Sequence, residues 1–251
     1  MKKKTDIGLV VAMKEEADIL ATSLDLASRP LQPGNFLKYS NSDDSIVMYT
    51  PGIDLGFRSF GKPVSRVGKV SAGVATTILV NKHAPTVIVN CGTAGGIQSA
   101  GAQIGDIVFA QSVTSHDIRI PLPGYEEYGV RLITPVGLEK LTFIRHPYKT
   151  GVVSSGESFA SSSEEWRAIK KNAALAKEME AAGVLQALQI LQYRGLCYVI
   201  KAITDISDEF TLTQTPTEQF LRNFDLAMNE LSIVIGEFVA NRTNLLAAKK
   251  K

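Results

Sequence analysis

Short apolar, β-branched runs bounded by turn-forming residues recur along the chain, at 7–12, 45–49, 87–90, 107–110, 151–154 and 198–203. Segments with helical spacing lie between several of them, at 15–24, 70–82, 164–171, 181–193 and 216–239. Near-continuous apolar strands alternating with helices predict a largely parallel sheet covered on both faces. The last helix carries the clearest signal. Thr215-Pro216-Thr217-Glu218 supplies a capping hydroxyl, proline at the first helical position and a glutamate three residues after the cap. Phe220, Phe224, Ala227, Leu231, Val234 and Phe238 then follow at helical spacing. No repeat or low-complexity linker interrupts the pattern, and 27–41, rich in Pro, Gly and Ser, reads as a loop. The expected fold class is α/β: a single domain over 1–251 with a mixed, mostly parallel central sheet and helices on both faces. The basic residues at 1–4 and 244–251 read as solvated tails.

Composition narrows the function classes. The 251 residues are 45% hydrophobic and 21% charged, an ordinary globular balance. A net charge of +2 makes no case for a nucleic-acid partner. Cys91 and Cys197 both sit in apolar runs, which suits buried thiols in a reducing, cytoplasmic setting rather than a disulfide framework. The apolar stretch from Ile7 to Met13 is too short for a signal peptide, and no run approaches a membrane span. His83, His116 and His146 show no metal-ligand spacing, so neither metal nor cofactor is expected. His116 reads equally as a residue of a site mouth and as a loop residue, and Trp166 as a packing residue on a polar helix.

Candidate chemistry collects at strand ends, where open α/β sheets bind ligands. The run 87–90 leads into Cys91-Gly92-Thr93-Ala94-Gly95-Gly96, 151–154 into Ser155-Gly156-Glu157-Ser158-Phe159, and 198–203 into Thr204-Asp205. GTAGG lacks both GxGxxG and a GK[ST] ending, so it reads as a glycine turn that lets a sugar approach the backbone, not as a phosphate loop. Carboxylates stand at Glu16, Glu178, Glu180 and Asp205. Paired carboxylates suit cleavage of an N-glycosidic bond, where a ribosyl cation needs negative charge and the leaving base needs a proton. Taken singly, each has an ordinary reading. Glu16 is a first-turn glutamate favoured by the helix dipole, Glu178 and Glu180 alternate about a half-exposed strand end, Asp205 caps a turn, and Phe159 is a core aromatic.

In combination and order these pieces are specific. IGLVVAMKEEADIL, RVGKVSAG, NCGTAGGI with GAQIGDIV, SSGESF, KEMEAAG and KAITDISD together resemble the nucleoside phosphorylase/nucleosidase superfamily. Within it they resemble the 5'-methylthioadenosine/S-adenosylhomocysteine nucleosidases, over nearly the whole chain from Ile7 to about Phe238. SHDIRIPLPGYEEYG and TPTEQF look more like the plant-type members. The resemblance implies hydrolysis of a nucleoside to adenine and a thioribose. Glu16 then matches the glutamate that activates the attacking water, and Asp205 the acid toward purine N7. Glu180 matches the carboxylate on the ribose hydroxyls, and Met179 the methionine packed on the ribose. Phe159 matches the aromatic stacked on adenine, with the backbone of Phe159 and Ala160 reading the base edge. Thr93 keeps a hydroxyl near the sugar, and Glu178 matches a second family glutamate. A homodimer is also implied, with 120–129 as the contribution to the neighbouring chain.

The rival on the same fold is a phosphorylase, which needs cations for phosphate. The acidic MKEE run and Asn90 stand where phosphate-using relatives place arginine, while Arg66 and Lys69 keep that reading open. A non-catalytic nucleoside-binding protein is a third reading, one expected to have lost Asp205 or Glu16. Thr217 stands where members that accept a long homocysteine tail carry an aromatic residue. The expected preference is therefore for methylthioadenosine over S-adenosylhomocysteine.

Overall fold

The computed structural model describes residues 5–31, 36–125, 127–128, 135, 138, 141–208 and 215–248. The chain begins with β1 (Ile7–Val10), α1 (Lys14–Ser23), β2 (Ala27–Leu31), β3 (Phe36–Ser40) and β4 (Ile46–Thr50). A hairpin of β5 (Ile53–Ser59) and β6 (Lys62–Ser65) precedes α2 (Lys69–His83). Then come β7 (Val87–Gly96), β8 (Ile107–Ser115), β9 (Lys149–Ser155), α3 (Ser163–Lys171), β10 (Ala174–Glu178) and α4 (Ala181–Ile190). The chain closes with β11 (Leu196–Ile206), α5 (Pro216–Ala240) and α6 (Arg242–Ala248).

Among the described residues β1–β4 and β7–β11 form a nine-stranded sheet in the order β10-β9-β8-β11-β7-β1-β4-β3-β2. Pairing is parallel through β4, β1, β7 and β11, and again through β8, β9 and β10. The two parallel blocks meet in the antiparallel pair β11–β8. The sheet is mixed, as expected, but not open. Ala176 and Lys177 of β10 pair back onto Gly96 and Gly95 of β7, closing β7, β11, β8, β9 and β10 into a ring.

Strand alternation explains the two-faced core. Ile7, Leu9, Val87, Val89, Tyr198 and Ile200 face one side, where α1 and α5 supply Leu20, Leu231 and Phe238. Val10, Ile88, Cys197 and Val199 face the other, where α2 and α4 supply Leu79 and Leu185. Side chains alternate across a strand, so one apolar run serves both layers. Helix α5 is capped as its sequence predicts: the Thr215 hydroxyl accepts from Glu218 N at 3.2 Å, and the Glu218 carboxylate accepts from Thr215 N at 2.8 Å. Its buried positions Ala227, Leu231, Val234 and Phe238 keep the predicted register, whereas Phe220 and Phe224 are only half-buried.

Three local expectations are corrected. Of the segment expected as a loop, 27–31 and 36–40 are β2 and β3, which pair antiparallel, and β2 is the sheet edge, where a proline such as Pro30 is tolerated. The GTAGG segment is not a turn but the second half of β7, held between β11 and β10. Residues 244–248 belong to α6, with Leu245 in the core, so the expected tail starts later; 249–251 and 1–4 lie outside the described residues. No helix among the described residues is long and apolar enough to cross a membrane.

Helices α2 and α4 touch backbone to backbone. A Cβ at Gly183 would lie 2.2 Å from the carbonyl oxygen of Lys69, and one at Gly73 only 3.4 Å from the carbonyl of Gly183. Gly183→Ala therefore has to separate two helices. The expected cost is about 2–3 kcal/mol, read as a fall in the urea midpoint, and an unchanged midpoint would show that the helices part freely.

Candidate active site

The carboxyl ends of β7, β10 and β11 and the amino ends of α1, α4 and α5 enclose a cavity of about 390 Å³. Glu16, Thr93, Phe159, Glu178, Met179, Glu180 and Asp205 all line it, joined by Lys177, Phe60 and Phe220. Ala160 does not line it and is exposed on the turn after Phe159. A second cavity, about 470 Å³, lies between the end of β8, residues 124–128 and α4, and carries none of these groups.

Each buried glutamate meets amides at the start of a helix, where unpaired N–H groups and the helix dipole favour an anion. Glu16, in the first turn of α1, accepts from Met13 N at 3.2 Å. Its other oxygen accepts from Thr93 N at 2.7 Å and from the Thr93 hydroxyl at 2.8 Å. Burial pushes its pKa up, while the Thr93 donors, the Lys201 charge and the Met13 amide oppose that push. Donors reach both oxygens and limit that rise, but the net shift is upward.

Glu178 ends β10 and caps α4. One oxygen accepts from Glu180 N at 3.0 Å and Ala181 N at 2.9 Å, and the other from the Ser155 hydroxyl. The Lys201 ammonium lies 2.7 Å from Glu178 and 3.9 Å from Glu180. Burial works to raise the Glu178 pKa, but the Lys201 charge and the hydrogen bonds outweigh it and the net shift is downward. Glu180 accepts from Gly68 N, just before α2, at 2.9 Å. It keeps free capacity toward the cavity, and burial, opposed by Lys201 and helped by the Glu178 charge, raises it to about 7. Lys201 is 1% exposed. Burial disfavours its charge, yet Glu178 and Glu180 hold its pKa above the ordinary lysine value.

Asp205 sits where the register of β11 against β7 shifts between Ile203 and Asp205, a bulge that re-aims a side chain. It accepts from the Thr204 hydroxyl at 2.8 Å and the Ser207 hydroxyl at 2.9 Å. Burial raises its pKa against those two hydrogen bonds and the Lys177 charge. A Cβ at Gly95 of β7 would lie 2.2 Å from Ser207 Oγ and 2.9 Å from Asp205 Oδ2, so any larger residue there has to displace the Ser207 hydroxyl from Asp205. Phe159, 41% exposed, stands edge-on to Phe220 with ring centroids 6.0 Å apart. Phe220 thus turns from the core stripe of α5 to the cavity wall, backed by Phe224, which packs against the core with its ring centroid 5.5 Å from that of Phe220.

Sequence reading missed Lys201, Lys177, Ser155 and Ser207. The signal for Lys201 was present, as a lone cation inside the apolar run of β11. His116 is neither at a site mouth nor on the surface. It is buried, with Nδ1 3.0 Å from Ser154 Oγ. Trp166 packs with Ile97, Ile169 and Ala174 as expected. Among the described residues no group of three or more His, Cys, Asp or Glu is placed to hold a metal ion.

The sequence pattern of the family described as Phosphorylase superfamily matches residues 6–240. A 5'-methylthioadenosine nucleosidase of Arabidopsis thaliana is 32% identical over 230 residues, covering 87% of this chain and 80% of that protein. A 5'-methylthioadenosine/S-adenosylhomocysteine nucleosidase of Staphylococcus aureus is 31% identical over 216 residues, covering 80% and 87%. The solved apo structure of the Arabidopsis thaliana 5'-methylthioadenosine nucleosidase superposes with a TM-score of 0.83 at 28% identity, covering 95% of this chain and 96% of that one.

Removing the buried ammonium leaves carboxylates without their counter-charge. Lys201→Met is expected to destabilise the fold by about 3–5 kcal/mol, measured by urea denaturation. A loss below about 1 kcal/mol would mean that the helix-terminal amides alone hold Glu178 and Glu180.

Proposed function

This chain belongs to the phosphorylase superfamily, among its 5'-methylthioadenosine nucleosidases, and we propose that Glu16, Asp205 and Glu180 divide the chemistry of N-glycosidic hydrolysis between them. The enzyme is an N-glycosyl hydrolase that cleaves 5'-methylthioadenosine to adenine and a thioribose. Glu16 is the general base toward water, a role that fits the carboxylate form its donors favour. Asp205 is the acid toward purine N7, because adenine leaves poorly as an anion and burial raises the pKa of this group above the ordinary aspartate value, favouring its protonated form. Glu180 grips the ribose hydroxyls, more tightly as positive charge develops on the ring. Met179 packs on the sugar and Phe159 stacks on the base. Glu178 is saturated by Lys201, Ser155 and two amides, so its part is to hold Glu180 and Lys201 in place.

The observation that carries the hydrolytic reading is a buried glutamate, not a cation, at the sugar end of the cavity. Arg66 and Lys69, the cations that kept a phosphorylase in view, line no part of it. Arg66 lies 3.9 Å from Asp54, and the Lys69 ammonium is 2.5 Å from Asp117.

A homodimer is part of the proposal. Leu122, Tyr125, Tyr128, Val70, Val74 and Ile190 are exposed, and these side chains are the candidates for the contact with a second copy. Of the expected contact segment 120–129, Glu126 and Gly129 lie outside the described residues. A cytosolic setting, with salvage of methylthioadenosine as its purpose, is supported by the buried thiols of Cys91 and Cys197. Thr217, Phe220 and Leu221 line the cavity and support the preference for the short methylthio group.

The deciding experiment is incubation with methylthioadenosine with and without phosphate, resolving free methylthioribose from methylthioribose 1-phosphate. Hydrolysis at the same rate in both is expected, and turnover only with phosphate would end the hydrolase reading. The same assay with S-adenosylhomocysteine should give a specificity constant about tenfold lower, and equal constants would remove the 5' preference alone.

Specificity constants should trace a bell against pH. The acid side falls as Glu16 and Glu180, the latter raised to about 7, take up protons, and the alkaline side falls as Asp205 loses its own. Asp205→Asn should lower turnover about 100-fold or more and abolish the alkaline limb. Glu16→Gln should lose turnover yet still bind substrate. Near-normal turnover in either variant removes that residue from the mechanism.

A further inference from the structure

Lys177 lines the cavity but is not ion-paired with Glu178 or Glu180 as Lys201 is. It precedes Glu178 on β10, so its side chain leaves the opposite face of the strand. Its ammonium donates to the carbonyl oxygen of Phe159, and to the Ser161 hydroxyl at 2.8 Å. It also lies 5.9 Å from the ring centroids of both Phe159 and Trp166. At 7% exposed it is withdrawn from solvent, and burial lowers its pKa against the opposing charges of Asp205 of β11 and Glu165 of α3. Lys177 of β10 and Asp205 of β11 both pair with Gly95 of β7, so the two side chains flank the same residue from opposite sides, and both line the cavity. Lys177 also acts on His116, the residue after β8. Around Asp205 the remaining influences are burial and the neutral hydroxyls of Thr204 and Ser207, so Lys177 is the charged group that acts on it.

We propose that Lys177 is a positioning residue, whose ammonium fixes the turn carrying Phe159 over the base subsite and sets a cation across Gly95 from Asp205. The inference rests on Asp205 being the proton donor to the purine. The acid needs both influences. Burial raises the Asp205 pKa and favours the protonated form, whereas a facing cation favours the carboxylate and keeps the acid strong enough to give the proton up. The sign of the effect follows. Without the Lys177 charge Asp205 holds its proton to higher pH, so the alkaline limb moves up. The weakened acid and loosened turn lower the rate at the plateau.

The test is methylthioadenosine hydrolysis across pH by the unaltered enzyme, Lys177→Met, Lys177→Arg and Ser161→Ala. In Lys177→Met the alkaline limb should rise by about one pH unit, with KM up about tenfold and kcat reduced. Lys177→Arg should return the limb to its original place while recovering only part of KM. Ser161→Ala removes one acceptor and no charge, so KM should rise about threefold with the limb unmoved. An unmoved limb in Lys177→Met overturns the proposal even if KM or thermal stability worsens, because a lysine with a purely structural role gives that pattern. If Lys177→Met does not fold, Ser161→Ala decides, and an unchanged KM there also overturns it. Absence of hydrolysis by the unaltered enzyme is a different failure, which removes the nucleosidase reading and this inference with it.

Discussion

The carboxylates of Glu16, Glu178 and Glu180 are withdrawn from water around the ammonium of Lys201, itself 1% exposed. Burying like charges together is costly, and the cost falls only when every group finds partners. Here each glutamate is met by amides at a helix start, and Lys201 offsets the surplus negative charge. The amino ends of α1, α2 and α4 are therefore drawn to one point by the glutamates that line the cavity. Stability and function share that arrangement, because the contacts that assemble the helices are the contacts that aim the glutamates.

A division of labour follows among similar side chains. Glu178 is saturated and stays ionised. Glu180, two residues later, has one amide and a more distant ammonium, and titrates at about 7. Burial raises Asp205, against the hydroxyls of Thr204 and Ser207 and the Lys177 charge. Four acidic groups in one cavity thus differ in proton affinity through burial and partners together, the kind of separation that lets one site hold an acid and a base at the same pH.

The central strands are legible in sequence because burial on both faces demands unbroken apolar runs, and β1, β7 and β11 obey. The helices are legible because α5 announces its cap and its stripe. Opacity enters where tertiary pairing overrides local chemistry. GTAGG looks like a turn, yet it is strand because β10 folds back to pair with Gly95 and Gly96. Pro30 looks like a loop residue, yet an edge strand tolerates it. Within the site, motif order marked seven residues that do line one cavity, while Ala160, chosen for its backbone, stands outside it. Lys201 and Lys177 escaped notice because a lysine in an apolar run signals burial with a partner, and that partner is visible only once strands distant in sequence are brought side by side.

The central parallel pairs join segments far apart in the chain: Ile7 lies beside Val87, and Val87 beside Leu196. Glu16 follows the first of these strands and Asp205 ends the last. During synthesis Glu16 is made early and Asp205 late, and no fragment short of β11 contains both. Loop closure over such separations is slow and yields little until the final strand docks. Recovery of activity after unfolding therefore reports on completion of the whole chain, and would lag behind signals from local structure such as the α5 helix.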